Sequence, residues 1–476
     1  MRASLTRVDL LVHGGTLITV DGQRNVFASG AVAIASGRIV AVGDSASIVR
    51  DYGHANEVID AEGGLITPGF VEAHVHLSQH LGRSVLPDTW PEEREHEHWL
   101  PYWQMMTEEE AELSAQLACI EMLQAGSTCF SDMTGRHSAE IQSRAAHSVG
   151  IRGIVSETVW DLPPHESVAT GDTDRCLASL ASLLERFPYR DDSLTWAGVA
   201  LAGMGSASDE LLRQAKGLAA AHNVVMYMHQ SFGTSDTDDF RRRANGAAAV
   251  AHLDSLGILG PDLQLVHLIR NSVEEIELLA GSGTSVVHCP SASLRWGMGV
   301  SRTGLVPDAL SRGVNIALGS DSGNYSDFLD VGKQMYLAAT IHRESSLNER
   351  SVTAEQAVEM ATINGAVALG VQRDIGSLEV GKKADLVVHA SRKAVMHPLY
   401  DPVRTLVYGA QSSAVDTVVV DGEVVLRHGR CTRIDEEKVL ARVDAAAARL
   451  SARMNWSTPH HWPVHGVLSS ALTGPS

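Results

Sequence analysis

The stretch Thr67-Pro68-Gly69-Phe70-Val71-Glu72-Ala73-His74-Val75-His76 ends an apolar run in two histidines one residue apart. In a β-strand, residues i and i+2 face the same side, so His74 and His76 can direct both imidazoles at one point. Two neutral imidazoles converging at a strand end suit a divalent ion of the zinc or iron type. Spacing alone is weak evidence: with 22 histidines in the chain, about one His-x-His arises by chance. A second pair, His96-Glu97-His98, lies in a charged segment without strand alternation. These two histidines are expected to stand outside the metal's ligands.

Other chemistry-bearing residues also fall at the ends of apolar runs. His229 follows Tyr227-Met228, His267 follows Leu265-Val266, His288 follows Val286-Val287, and Asp321 follows Leu318-Gly319-Ser320. A single histidine in such a place is more often a satisfied polar residue than a ligand. Five such positions on five runs reverse that expectation.

The elements that must position them are strands alternating with helices. After the His74 run come 127–130, 151–155, 194–200, 224–228, 263–266, 284–287 and 314–318, eight strand-like runs in all. Helix starts alternate with them, and Thr107 with Glu110, Ser272 with Glu275 and Thr353 with Gln356 fit capping boxes. The pattern predicts an α/β fold, a (β/α)8 TIM barrel over residues 66–376. Its catalytic groups would gather at the C-terminal ends of the strands. Residues 1–65 and 377–431 read as short strands, with turns at Gly14-Gly15, Asp21-Gly22, Ser36-Gly37 and Gly43-Asp44. Neither set of strands can bury a core alone, so the two ends are expected to build one β-sandwich domain. Residues 432–476 are read as a C-terminal helix and tail.

Composition narrows the partners. The chain has 476 residues and a net charge of −19, which argues against nucleic acid and anionic membranes. No apolar run is long enough to span a bilayer. Five scattered cysteines, none in Cys-x-x-Cys spacing, point to a reduced cytoplasm. A small-molecule substrate and a homo-oligomer are expected.

Almost the whole chain resembles the amidohydrolase superfamily, in the branch of cytosine and adenosine-type deaminases and triazine hydrolases. The resemblance rests on Thr67-Pro68-Gly69-Phe70 leading to His74-x-His76, on Val287-His288-Cys289-Pro290-Ser291, and on Leu318-Gly319-Ser320-Asp321. It extends to Thr362-Ile363-Asn364-Gly365-Ala366 and Gly376-Ser377-Leu378-Glu379-Val380-Gly381-Lys382-Lys383-Ala384-Asp385-Leu386. It implies that His74, His76, His229 and Asp321 hold the metal, with His267 and His288 facing substrate and the attacking water. One divalent ion per chain is expected, Zn2+ first, with Fe2+, Mn2+ or Co2+ as alternatives. Binuclear members bridge their ions with a lysine or carboxylate from strand four or nearby, and 195–202 contains no lysine.

Elementary chemistry supports the same roles. Such a site leaves a position for water, whose pKa the metal lowers towards neutrality. Asp321 can take its proton, and His267 can polarise the electrophile and stabilise developing charge. Cys289 is read as packing beneath its strand, since no base is suggested for it.

One departure bears on the reaction. Deaminases of this branch carry a glutamate three residues after the strand-five histidine, where this chain has Phe232. A phenyl ring transfers no proton, so another acid such as His80 is needed, or a leaving group that requires less help. His80 and Phe232 are accordingly expected to face substrate. The segment Leu77–Arg83, with Trp99-Leu100-Pro101-Tyr102-Trp103, resembles the sub-branch that hydrolyses thiocarbamates and phenylureas. Trp90, Trp99 and Trp103 are candidate lining residues, with core packing as the plainer reading. The expected activity is metal-dependent hydrolysis of a non-peptide C–N bond in an amide, urea, carbamate or N-heteroaromatic compound. The alternatives are a deaminase or dehalogenase acting on a heteroaromatic ring and, in another class, a non-catalytic binding protein.

Overall fold

The computed structural model describes residues 7–134, 137–163, 168, 170–244 and 246–454. The N-terminal strands are β1 (Val8–Ile18), β2 (Val26–Ala35), β3 (Arg38–Asp44), β4 (Ala55–Asp60) and β5 (Leu65–Pro68). Two of the expected turns are absent. Gly14-Gly15 lies inside β1, where the register with β2 shifts on either side of Gly15, and Gly14 takes φ +79°. A bulge with a left-handed glycine bends the strand without ending it. Gly43-Asp44 closes β3, and Asp44 caps the helix Ser45–Tyr52 through Ser47 N–H.

Next come β6 (Phe70–His76), β7 (Ser127–Asp132), β8 (Arg152–Val155), β9 (Thr195–Ala197) and β10 (Val199–Gly203). They are followed by β11 (Met226–Gln230), β12 (Leu263–His267), β13 (Ser285–His288), β14 (Ile316–Leu318) and β15 (Asp321–Ser322). All pair in parallel, in two five-stranded sheets ordered β15-β6-β7-β8-β9 and β10-β11-β12-β13-β14. The chain passes from one sheet to the other at Gly198 and again at Gly319-Ser320. Both breaks fall at glycines with no room for a side chain: a Cβ at Gly198 would stand 2.7 Å from the Tyr227 ring, and one at Gly319 2.9 Å from His74 Cβ.

Parallel strands covered on both faces need apolar residues at both parities. Val71, Cys129, Ile154, Tyr227, Val266 and Val287 form one cluster. Met226, Met228, Leu265, Val286 and Ile316 pack in another with helix residues such as Leu211, Leu279 and Met335. All three expected capping boxes are present, at Thr107, Ser272 and Thr353.

The chain returns in β16 (Leu386–His389), β17 (Val415–Val420), β18 (Glu423–Arg427) and β19 (Arg430–Cys431). These join β1–β5 in one nine-stranded sheet through β16, which pairs with β5. Arg152 of β8 ties the parallel sheets to this one: its guanidinium donates to both Asp385 carboxylate oxygens, at 2.7 and 3.0 Å, with both partners buried. The C-terminal helix Glu436–Met454 follows, and the tail after it lies outside the described residues. Among the described residues no helix is long and apolar enough to cross a membrane.

Candidate active site

The ends of β6, β11, β12 and β15 meet at one point. His76 Nε2 stands 3.3 Å from His229 Nε2 and 3.7 Å from Asp321 Oδ1. His74 Nε2 lies 3.9 Å from Asp321 Oδ1, and His267 Nε2 3.8 Å from Oδ2. Donors bonded to one tetrahedral ion at 2.0–2.2 Å stand about 3.4 Å apart, and these separations lie at that value or up to about 0.5 Å above it. The donor sets His74/His76/His229 and His74/His267/Asp321 each fall within 4.8 Å.

Local structure presents the correct nitrogens. His76 Nδ1 donates to Met133 O at 2.6 Å and His229 Nδ1 to Ala202 O at 2.8 Å. Each bond fixes the tautomer that leaves Nε2 bare, facing the cluster. His74 is wholly buried and neither of its ring nitrogens has a hydrogen-bond partner. A buried polar ring left without partners costs free energy, and a cation against Nε2 removes part of that cost. The residues present therefore fit a divalent metal.

Electrostatics agrees. Burial, then the neighbouring rings of His76, His229 and His267, holds the His74 pKa well below its usual value. Burial and the His229 ring push His76 down to about 3. His229 and His267 are lowered in the same direction, chiefly by burial. All four rings are thus neutral lone-pair donors at physiological pH. Burial raises Asp321 to about 7, against the Ser322 N–H bond that lowers it.

The backbone is strained where these residues sit. Ser231 (φ +50°), His267 (φ +73°), Leu268 (φ +43°) and Asp321 (φ +67°) are left-handed residues without glycine's freedom. Each such conformation costs about 1–3 kcal/mol and clusters at functional sites.

The remaining expected residues are placed as follows. Phe232 is partly exposed beside the cluster, its ring 6.3 Å from that of His229 and 6.0 Å from that of His267. His288 is buried, with Nε2 3.2 Å from His342 Nε2 of the helix Val331–Ser346. His80 departs from expectation: it is wholly buried, with Nε2 2.5 Å from Glu121 Oε2. Its other nitrogen faces Gly323, so neither is free to meet a leaving group. Cys289 is buried in the same apolar cluster as Val287, and burial raises its thiol pKa. His96 and His98 lie in the helical turn Arg94–Trp99, apart from the buried donors; His98 groups instead with Glu93 and Glu97 at the surface. Trp99 stacks on Trp103 with centroids 5.8 Å apart, and Trp90 is largely exposed.

Sequence reasoning missed several residues here. Glu72 is buried, accepts the Ser320 N–H at 2.5 Å just before Asp321, and is raised by burial to about 8. Asp132 accepts the Leu77 N–H at 2.7 Å. Glu72 lies within the histidine motif, so an acid in an apolar strand was its available signal. Glu121 and His342 sit on helices, and nothing in the spacing of one chain points to them.

The amidohydrolase family model matches residues 65–425. The chain is 34% identical over 440 residues to a 5-methylthioadenosine/S-adenosylhomocysteine deaminase of Syntrophobacter fumaroxidans, covering 92% of this chain and 97% of that one. It is 30% identical over 456 residues to a 5'-deoxyadenosine deaminase of Methanosarcina mazei, covering 94% and 99%. Among solved structures it resembles a zinc-bound adenosine deaminase from Xanthomonas campestris, with TM-score 0.87, 27% identity, and 93% and 99% of the two chains covered. The zinc complex of an atrazine chlorohydrolase from Arthrobacter aurescens shares the fold, with TM-score 0.84, 22% identity, and 92% and 99% covered. With buried histidine and carboxylate donors gathered at the ends of parallel strands, the chain belongs to the amidohydrolase family, as a hydrolase of non-peptide carbon–nitrogen bonds.

Proposed function

We propose that the protein is a mononuclear zinc hydrolase of a small molecule, cleaving a C–N bond in an amide, urea, carbamate or N-heteroaromatic substrate. The observation that carries this reading is the set of donor atoms from His74, His76, His229 and Asp321 around one point, with His229 and His76 held in the ligating tautomer. Zinc is the ion named with two structural neighbours. One ion is favoured because β9 and β10 offer no lysine to bridge a second. We further infer that the two parallel sheets close as a (β/α)8 barrel, since the chain links them at both breaks. The nine-stranded sheet would fold as a sandwich, because it carries separate apolar clusters around Leu17 and Leu11.

A divalent ion held there supplies Lewis acidity, activating water and polarising the electrophile. The chain's own groups do the rest. Asp321 stands where it can take a proton from the attacking water and return it. His267, across from Asp321 Oδ2, stabilises charge developing on the substrate. His288 orients substrate from the end of β13, its ring fixed by His342. Phe232 offers an apolar face beside the cluster and no proton.

The second reading is a deaminase, favoured by the names of the relatives at 30–34% identity. Release of ammonia benefits from a positioned acid, typically worth about 10²–10⁴-fold in rate, and position 232 supplies none. The test compares kcat/KM for amides, ureas and carbamates with that for adenosine-type aminated rings, with zinc saturating. Higher values for the first class support the leading reading. Efficient ammonia release from an aminated purine would replace it with the second.

A further inference from the structure

The segments that carry His76 and Asp321 meet at a weak place. β15 pairs with β6 through two positions only, Asp321 with Val75 and Ser322 with His76. Glu72 of β6 adds one bond before the ladder by accepting the Ser320 N–H, and the loops beyond the ladder are fixed by side chains. Directly beyond it, the His80 ring occupies the space that a side chain at Gly323 would take. A Cβ there would lie 2.0 Å from His80 Nδ1 and 2.8 Å from its Cα.

Glu121, from the helix Glu108–Gln124, holds both segments with one carboxylate. Its Oε2 receives His80 at 2.5 Å and also pairs with Arg83. Its Oε1 accepts the Leu329 N–H at 3.3 Å, from the loop after β15. A second link runs parallel: Ser84 N–H donates to Asp327 Oδ1 at 2.7 Å, and Asp327 pairs with Arg295 at 2.6 Å.

Arg83 Nη2 lies 2.7 Å from His80 Nε2, so two tautomers must be weighed. If Nε2 accepted from Arg83, a proton on Nδ1 would be buried without a partner. With the proton on Nε2, His80 and Arg83 both donate to Glu121, their own contact is two donors side by side on one acceptor, and the Nδ1 lone pair stays unmatched. Leaving a buried acceptor is the cheaper arrangement, because the charged carboxylate keeps both of its strong donors.

We propose that His80 and Glu121 are positioning residues, a buried imidazole–carboxylate brace across the β6/β15 seam that sets Asp321 against His76. The brace acts on metal binding through the geometry of these two residues, and it rests on the reading of them as metal ligands. It touches neither substrate nor metal. The steric demand at Gly323 belongs to the same device, since the imidazole and the loop share one space.

The test uses the full-length metal-free protein in wild-type form and as Glu121→Gln, His80→Ala, His80→Gln, Gly323→Ala and His229→Ala. Zinc affinity is measured by chelator competition, ligand geometry by the visible spectrum of the cobalt(II) form, and stability by the Tm without metal. Glu121→Gln, His80→Ala and Gly323→Ala are expected to weaken zinc by about tenfold, the low end of the range for residues bonded directly to metal ligands, since the brace acts one step further out. They should also shift the cobalt bands, with Tm changed by only a few degrees in Glu121→Gln and His80→Ala and lowered further in Gly323→Ala, whose added methyl group must displace the His80 ring and backbone. His80→Gln, whose amide can still donate to Glu121, should keep most of the affinity. Wild-type affinity and spectrum in folded Glu121→Gln overturn the brace, even if His80→Ala fails to fold. Wild-type zinc affinity in His229→Ala overturns the ligand assignment itself, which separates the two failures.

Discussion

Among the described residues His74 finds no hydrogen-bond partner: both of its nitrogens are buried without one, and Asp321 is too far at 3.9 Å. His76 and His229 spend Nδ1 on backbone carbonyls and keep Nε2 for the cluster. Metal content should therefore fall from about one ion per chain to well below half in His229→Ala and Asp321→Asn. The double variant His96→Ala/His98→Ala should keep its metal, and elemental analysis of the purified proteins reads both outcomes. Phe232→Glu restores an acid beside His229. It is expected to raise ammonia release from an aminated heterocycle by at least about tenfold, less than the roughly 10²–10⁴-fold of a fully positioned acid because the surrounding residues are not arranged for it. Unchanged deamination in a metal-loaded Phe232→Glu protein would show that the position does not limit that reaction. The histidines that gather in the cluster were legible because period-two spacing and strand ends are properties of the sequence. The true setting of His80 was not, because Glu121 reaches it from a helix forty residues away in the chain.

At the scale of elements, the eight parallel runs and the three capping boxes could be read from apolar runs and Ser/Thr-x-x-Glu/Gln spacing alone. The breaks at Gly198 and Gly319-Ser320 could not, since the residues that leave these glycines no room for a side chain, Tyr227 and His74, come close only in the fold. Gly14-Gly15 misled for a related reason: a glycine pair marks a turn or a bulge equally well, and only the partner strand decides. The joint between the parallel sheets and the terminal sheet is the buried Arg152–Asp385 pair. Arg152→Met leaves the Asp385 charge without its main buried partner. Breaking such a pair from one side costs about 3–5 kcal/mol, so the urea midpoint of the metal-free protein should drop accordingly. A midpoint equal to wild type would show that Lys383 and Asp421, which flank the pair, suffice to hold the joint.

For the molecule as a whole, acid stability follows from histidines buried neutral. His389 of β16 lies far in the chain from the metal cluster, pairs with Thr67 at 3.1 Å, and is lowered by burial to about 4. Its unfolded form takes up a proton near pH 6.5, so the unfolded state binds more protons between pH 6.5 and 4. Stability is thus fully present above pH 6.5 and is lost as pH falls towards 4, by about 3 kcal/mol from this residue. His389→Asn should flatten that part of the stability–pH curve by one proton, whereas an unchanged slope would mean that His389 is already charged in the folded state. The central claim, a single metal ion at the ends of β6, β11 and β15, is tested most directly by titrating metal-free protein with zinc while following hydrolysis. Activity should rise from near zero in proportion to zinc and level off at about one equivalent per chain. Full activity without metal, or a plateau at two equivalents, would contradict it.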